Sequence, residues 1–65
     1  MKTYTVYYEL TFFAGVTRTD YIDIEADFEE DAIDKAASHL CKMYPSAINI
    51  EVTRVLCLYN VFDNI

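Results

Sequence analysis

DYIDIEADFEEDAIDKAA, residues 20–37, changes its repeat halfway along. Ile22, Ile24 and Ala26 alternate with Tyr21, Asp23 and Glu25, the two-residue period of a half-buried strand. The apolar residues Phe28, Ala32, Ile33, Ala36, Ala37, Leu40, Cys41 and Tyr44 follow the helical period instead and form one stripe. Asp27 with Glu30 three residues later reads as an N-cap and capping-box pair. Glu29, Glu30 and Asp31 then lie where a helix dipole favours anions, and Lys42 lies where it favours cations. The helix is expected to run to about Met43, with Pro45 ending it. A strand passing directly into a helix therefore sets the centre of the fold.

The flanking segments are strands. In KTYTVYYELTFF, residues 2–13, Tyr4, Val6, Tyr8, Leu10 and Phe12 point one way, while Thr3, Thr5, Tyr7, Glu9, Thr11 and Phe13 point the other. β-branched and aromatic residues suit such a pleated, half-buried surface. Ala14-Gly15-Val16 holds the sole glycine and supplies a hairpin turn, Gly15 being free to take positive φ. The second strand follows as TRTDYIDIEA. A third begins at INIEV, where Ile48, Ile50 and Val52 alternate with Asn49, Glu51 and Thr53. Beyond Arg54 the sequence is apolar on both faces, so either a bulge shifts the phase or both faces of that strand end are covered.

The order β-β-α-β predicts one α+β domain over residues 1–65. Its sheet is three-stranded, antiparallel or mixed, in strand order 2-1-3, and one helix packs on one face. The crossover from the second strand to the third is expected to be right-handed and to return parallel. The opposite sheet face has no second layer in this chain.

Size and composition fit a small packed globule. A chain of 65 residues buries only about 60% of its unfolded surface. Against that, 54% of its residues are hydrophobic and one residue is Pro, too much to bury for a disordered segment. Small scaffolds often gain stability from a partner subunit, so a homodimer is among the expected states. Cys41 and Cys57 read as small buried hydrophobes in a reducing compartment rather than as a disulfide pair. Met1 leads into KTYTVYYEL, with charge and threonines where a secretory leader has its apolar core. A cytoplasmic protein is expected, in the host cytoplasm if phage-encoded.

A net charge of −6 argues against direct contact with nucleic acid or anionic membranes, since phosphate contacts need cations. A basic protein surface is the natural electrostatic partner. By alternation the uncovered face collects Tyr7, Glu9, Tyr21, Asp23, Glu25, Glu51, Val55, Cys57 and Tyr59. Tyrosines beside carboxylates are enriched where proteins meet. Tyr21, Asp23, Glu25 and Asp27 form a line of negative charge running into the helix start. The same acids also have ordinary uses, at a helix start and as guards on an edge strand.

Catalysis and cofactors find little support. His39 is the single histidine and lies on the polar side of the helix between Lys35 and Lys42. A sheet under one helix leaves little room for the cleft that acid–base chemistry requires. No Cys/His spacing suggests zinc, and no calcium-loop geometry accompanies the acids. The expectation is no catalytic residue, no metal and no cofactor.

YIDIEADFEEDAIDKAA followed about a dozen residues later by INIEVTRV resembles the small inhibitors of host RNA polymerase made by T-seven-like phages. The likeness covers roughly Asp20 to Val55. It rests on the same element order, an acid-rich helix start after the second strand, and EVTRV in the third. The resemblance implies a non-enzymatic protein that binds bacterial RNA polymerase at the β′ jaw and blocks promoter engagement. Arg54 aligns with a third-strand arginine of that contact; a second family arginine, two positions on, is Leu56 here.

Three functions are carried forward. The first is a phage-type protein that inhibits or modulates a host protein, RNA polymerase favoured. The second is a nucleic-acid mimic that blocks a restriction or CRISPR nuclease. The third is a homodimeric accessory module. The expected partner-binding residues are Arg54, Tyr7, Tyr21, Asp23, Glu25, Asp27 and Tyr59.

Overall fold

Tyr4, Val6, Tyr8 and Leu10 fall on one side of the first strand, β1 (Lys2–Thr11), and all four are buried. The computed structural model of the protein describes residues 2–58; Tyr59, expected at the binding face, lies outside them. The chain reverses after β1 through a tight turn at Phe13–Gly15. Phe12 N–H donates to the Val16 carbonyl at 2.7 Å, and Gly15 N–H donates to the Phe12 carbonyl at 3.2 Å. Gly15 takes the positive φ expected of it, at 77°, and Ala14 joins it at 69°. Side-chain crowding makes that region unfavourable for alanine by about 1–2 kcal/mol.

The second strand, β2 (Thr17–Ala26), pairs antiparallel with β1 in an unbroken register from Thr11↔Thr17 to Lys2↔Ala26. Ile22 and Ile24 are half-buried and Ala26 is buried, while Tyr21, Asp23 and Glu25 are exposed. The two-residue alternation is therefore realised as read.

The helix, α1 (Glu29–Met43), lies on the inward face. Ala32, Ala36 and Leu40, each four residues after the last, are its buried residues. The buried stripe is narrow, and two of its three residues are alanines. Ile33 and Ala37 flank it half-buried. Cys41, expected within the stripe, is exposed, and Phe28 is 68% exposed.

The capping expectation is also corrected. Phe28 is the N-cap, with extended backbone at φ −131° and ψ 154°, and its own side chain makes no capping hydrogen bond. The extended chain continues past Asp27, which lies one residue before the N-cap rather than at it. The acids Glu29, Glu30 and Asp31 do occupy the first turn, and Lys42 the last. The helix ends before Pro45, where Tyr44 N–H donates to the Leu40 carbonyl at 2.8 Å.

The third strand, β3 (Asn49–Leu58), pairs antiparallel with the other side of β1, so the sheet order is β2-β1-β3. Its register breaks once. Tyr8 faces Val52, but Tyr7 faces Arg54, leaving Thr53 as an extra, bulged residue. Of the two outcomes open for this segment, the structure takes the bulge. Its effect is to invert the outer half of the strand. Val55 and Cys57, assigned by alternation to the uncovered face, instead stand opposite Val6 and Tyr4 and pack against the helix-side core. Arg54, Leu56 and Leu58 take the other face.

Two groups of side chains make the core. Tyr4, Val6, Ala26, Ala32 and Ala36 form one; Tyr8, Leu10 and Leu40 form the other, with Tyr44 and Phe12 against it. The Phe12 and Tyr44 rings meet edge to face with centroids 6.5 Å apart. Val6, Leu10 and Leu40 are fully enclosed, and burying each contributes about 1.5–3 kcal/mol. Both cysteines are free thiols. Contrary to the expectation that both are buried, Cys41 is exposed and Cys57 half-buried.

Candidate functional site: the uncovered face of the sheet

The face away from α1 is laid out in rows across the three strands. One row is Tyr21–Tyr7–Arg54, the next Asp23–Thr5–Leu56, and the next Glu25–Thr3–Leu58. On the hairpin side of the tyrosine row come Thr19–Glu9–Glu51 and then Thr17–Thr11–Asn49. The bulge at Thr53 places both Glu51 and Arg54 on this face, although a regular strand would send residues three apart to opposite sides.

Two contacts order the middle of the face. The Tyr7 and Tyr21 rings lie 5.7 Å apart at 45°, a tilted aromatic pair of the kind that adds stability beyond area. Beside them the Thr5 hydroxyl donates to Asp23 Oδ1 at 2.8 Å. Thr5 is buried although no second layer covers this face among the described residues; Asp23 and Leu56 flank it on the neighbouring strands. Tyr21 keeps 58% of its surface exposed, so the aromatic pair is open to solvent on its outer side.

Charge is unevenly spread. Among the described residues, Glu9, Asp23, Glu25 and Glu51 share the face with one cation, Arg54. Glu9 and Glu51 stand directly opposite in neighbouring strands, an arrangement that is destabilising for like charges. At the helix end Asp27, Glu29, Glu30 and Asp31 are exposed beyond the Glu25 row. Lys35 is drawn to the rim, where its ammonium donates to the Glu25 carbonyl at 3.0 Å.

The other two ring-bearing positions of β1, Tyr4 and Tyr8, belong to the core side. Burial raises the pKa of each phenol above its ordinary value of 10.0. At Tyr8 the neighbouring Tyr44 hydroxyl pushes further the same way, and at Tyr4 Cys57 does so against the opposing charge of Lys2. Both residues pack in the helix-side core and are not part of the open surface.

Of the expected partner-binding residues, Tyr7, Tyr21, Asp23, Glu25 and Arg54 are brought onto one face. Asp27 lies past the end of β2, exposed at the border of that face. Leu56 and Leu58 belong to the face too, and Leu58 is 48% exposed; the alternation missed them because the bulge displaced them. Alternation predicts Thr5 on this side, but its hydrogen bond to the Asp23 carboxylate depends on the hairpin register, which no local sequence signal gives.

Among the described residues, no three His, Cys, Asp or Glu side chains are grouped to hold a metal ion. No helix among them is long and apolar enough to cross a membrane. The fold and the face together define a small β-β-α-β protein with an anionic, tyrosine-bearing sheet surface. The chain matches no protein-family model, no curated protein and no solved structure.

Proposed function

We propose that the protein is a non-enzymatic binding module that docks its uncovered sheet face on a basic surface of a protein partner, and in doing so inhibits or modulates that partner. One observation carries the reading: the face gathers four carboxylates around an exposed aromatic pair, and sets Glu9 against Glu51 without a cation between them. A partner's lysine or arginine placed there relieves like-charge repulsion as it binds. The tyrosines supply area and hydrogen bonding at low entropic cost. Packing this face on a second copy of itself would instead bring two anionic surfaces together.

Bacterial RNA polymerase is the partner favoured by the resemblance of the acid-rich segment and the third strand to the phage inhibitors. Arg54 sits beside Tyr7 in the middle row of the face, on its β3 edge, and is exposed. A second reading, mimicry of a nucleic-acid backbone, draws on Asp23 and Glu25. Both are exposed on one strand, about 6.7 Å apart at the usual strand rise.

The test is capture of proteins from bacterial lysate on the immobilised chain at low and high salt, alongside direct binding to purified RNA polymerase. The reading expects polymerase binding that weakens steeply with ionic strength and falls at least tenfold in Arg54→Ala and in Asp23→Asn/Glu25→Gln. Capture of a restriction or CRISPR nuclease in place of polymerase supports the mimic. Equal binding by wild type and both variants, at either salt, overturns the docking face itself.

A further inference from the structure

The two outer edges of the sheet are not equivalent. Along β2 two of the backbone groups are already engaged by side chains. The Asp20 carboxylate accepts from Tyr21 N–H at 2.8 Å, and the Lys35 ammonium donates to the Glu25 carbonyl at 3.0 Å. β2 also carries four charged residues, Arg18, Asp20, Asp23 and Glu25, the kind of guard that discourages pairing with another chain. β3 carries only Glu51 and Arg54 in the same ten residues, and no side-chain hydrogen bond to its backbone occurs among the described residues.

The bulge gives those two charges a particular relation. Strands of two copies that pair antiparallel about a two-fold axis place residues of the same face opposite each other. In a regular strand Glu51 and Arg54 face opposite ways and never meet. Here both lie on the uncovered face, with Thr53 between them. If Glu51 of one copy stands opposite Arg54 of the other, every further pair also agrees. Asn49 meets Leu56 on the uncovered face, and Ile50 meets Val55 on the helix face. The bulged Thr53 then falls at the axis, beside Val52 of the second copy, where the break in one strand meets the break in the other.

We infer that the β3 edge is a self-association surface: two copies join by antiparallel β3–β3 pairing, registered by reciprocal Glu51–Arg54 contacts. The product is a continuous six-stranded sheet with both helices on one side and both anionic faces on the other. The occupant is a second copy because the edge is charge-complementary to itself. The edge is separate from the proposed docking face, although Glu51 and Arg54 border both.

The experiment is the solution mass of the purified chain by sedimentation equilibrium across a wide concentration range, for wild type, Glu51→Arg, Arg54→Glu and an equimolar mixture of the two variants. Wild type is expected to dimerise. Each variant alone puts like charges in both contacts and is expected to dimerise at least tenfold more weakly. The mixture restores two attractive pairs and is expected to form a one-to-one heterodimer, which a misfolded variant could not do. Amide exchange along Asn49–Leu58 should slow with concentration in wild type and in the mixture only. A wild type that stays monomeric to millimolar concentration overturns the inference. So does a dimer indifferent to both charge reversals, which would place the contact elsewhere, for instance at the exposed Phe13, Val16 and Ile48.

Discussion

Thr5 of β1 and Asp23 of β2 stand opposite each other and are joined by a 2.8 Å hydrogen bond in which the hydroxyl donates to Asp23 Oδ1. The bond ties the carboxylate to the sheet without neutralising it. An anionic group on the proposed docking face is thereby held in place before any partner arrives.

Asparagine at position 23 keeps an acceptor for Thr5 and loses the charge. Asp23→Asn is expected to leave stability within about 0.5 kcal/mol of wild type. Asp23→Ala leaves the buried Thr5 hydroxyl without its acceptor and is expected to cost about 1–3 kcal/mol. Urea titration followed by circular dichroism distinguishes the two. A large loss in Asp23→Asn would show that charge, not the hydrogen bond, holds this part of the sheet.

The helix is fixed to the sheet by a narrow stripe ending in Leu40, which is fully enclosed beside Tyr8 and Leu10. Leu40→Ala should destabilise the fold by about 2–5 kcal/mol, from lost transfer energy and the cavity left behind. Cys41→Ala, one residue away but exposed, should change stability by less than about 0.5 kcal/mol. Equal effects in chemical denaturation would contradict the narrow packing of α1.

The hairpin turn offers a stabilising change. Ala14 holds φ of 69°, a conformation glycine adopts without side-chain crowding. Ala14→Gly is expected to raise stability by up to about 1 kcal/mol, the relief of crowding outweighing the added freedom of the unfolded chain. Gly15→Ala should cost about 1 kcal/mol from its own φ of 77° alone, because a Cβ there meets no atom within 4 Å. Thermal melts of the two variants should therefore move in opposite directions.

Alkaline pH should weaken the fold through the buried phenols. Tyr4 and Tyr8 have folded-state pKa values raised above 10.0, mainly by burial. Each favours the folded state fully below pH 10, where both forms are protonated. Above that the unfolded phenol ionises first, and stability falls until the pH passes the folded value. Tyr8→Phe removes one of the two and should make the decline shallower above pH 10, as measured by urea midpoints at a series of pH values. An unchanged slope would mean that Tyr8 ionises as readily in the fold as outside it.

Much of this architecture is written locally in the chain. The alternation of Tyr4, Val6, Tyr8 and Leu10, and of Ile22, Ile24 and Ala26, predicts the two hairpin strands and their inward faces. The change of period after Ala26 predicts the helix, and Pro45 its end. These signals are legible because each depends on residues a few positions apart. The direction of Arg54 is different. Val55, Leu56, Cys57 and Leu58 suit either face, so nothing within β3 decides which side each takes. Pairing with Tyr7 and Tyr8 decides it, and that partner lies far away in sequence. Phe28 fails for a related reason: its spacing fits the apolar stripe, but the backbone is still extended there and the helical phase has not begun.

Thr53 also constrains how the length of this gene segment can vary. A chain lacking Thr53 alone would leave every other β3 side chain facing as it does now, because that residue has no opposite number on β1. Loss of Val55 or Leu56 offers no such escape. Either the residues beyond turn inside out, or the bulge is absorbed and Arg54 is driven in against Val6. Single deletions from Thr53 to Leu56 should therefore be tolerated at Thr53 and rejected at Val55 and Leu56.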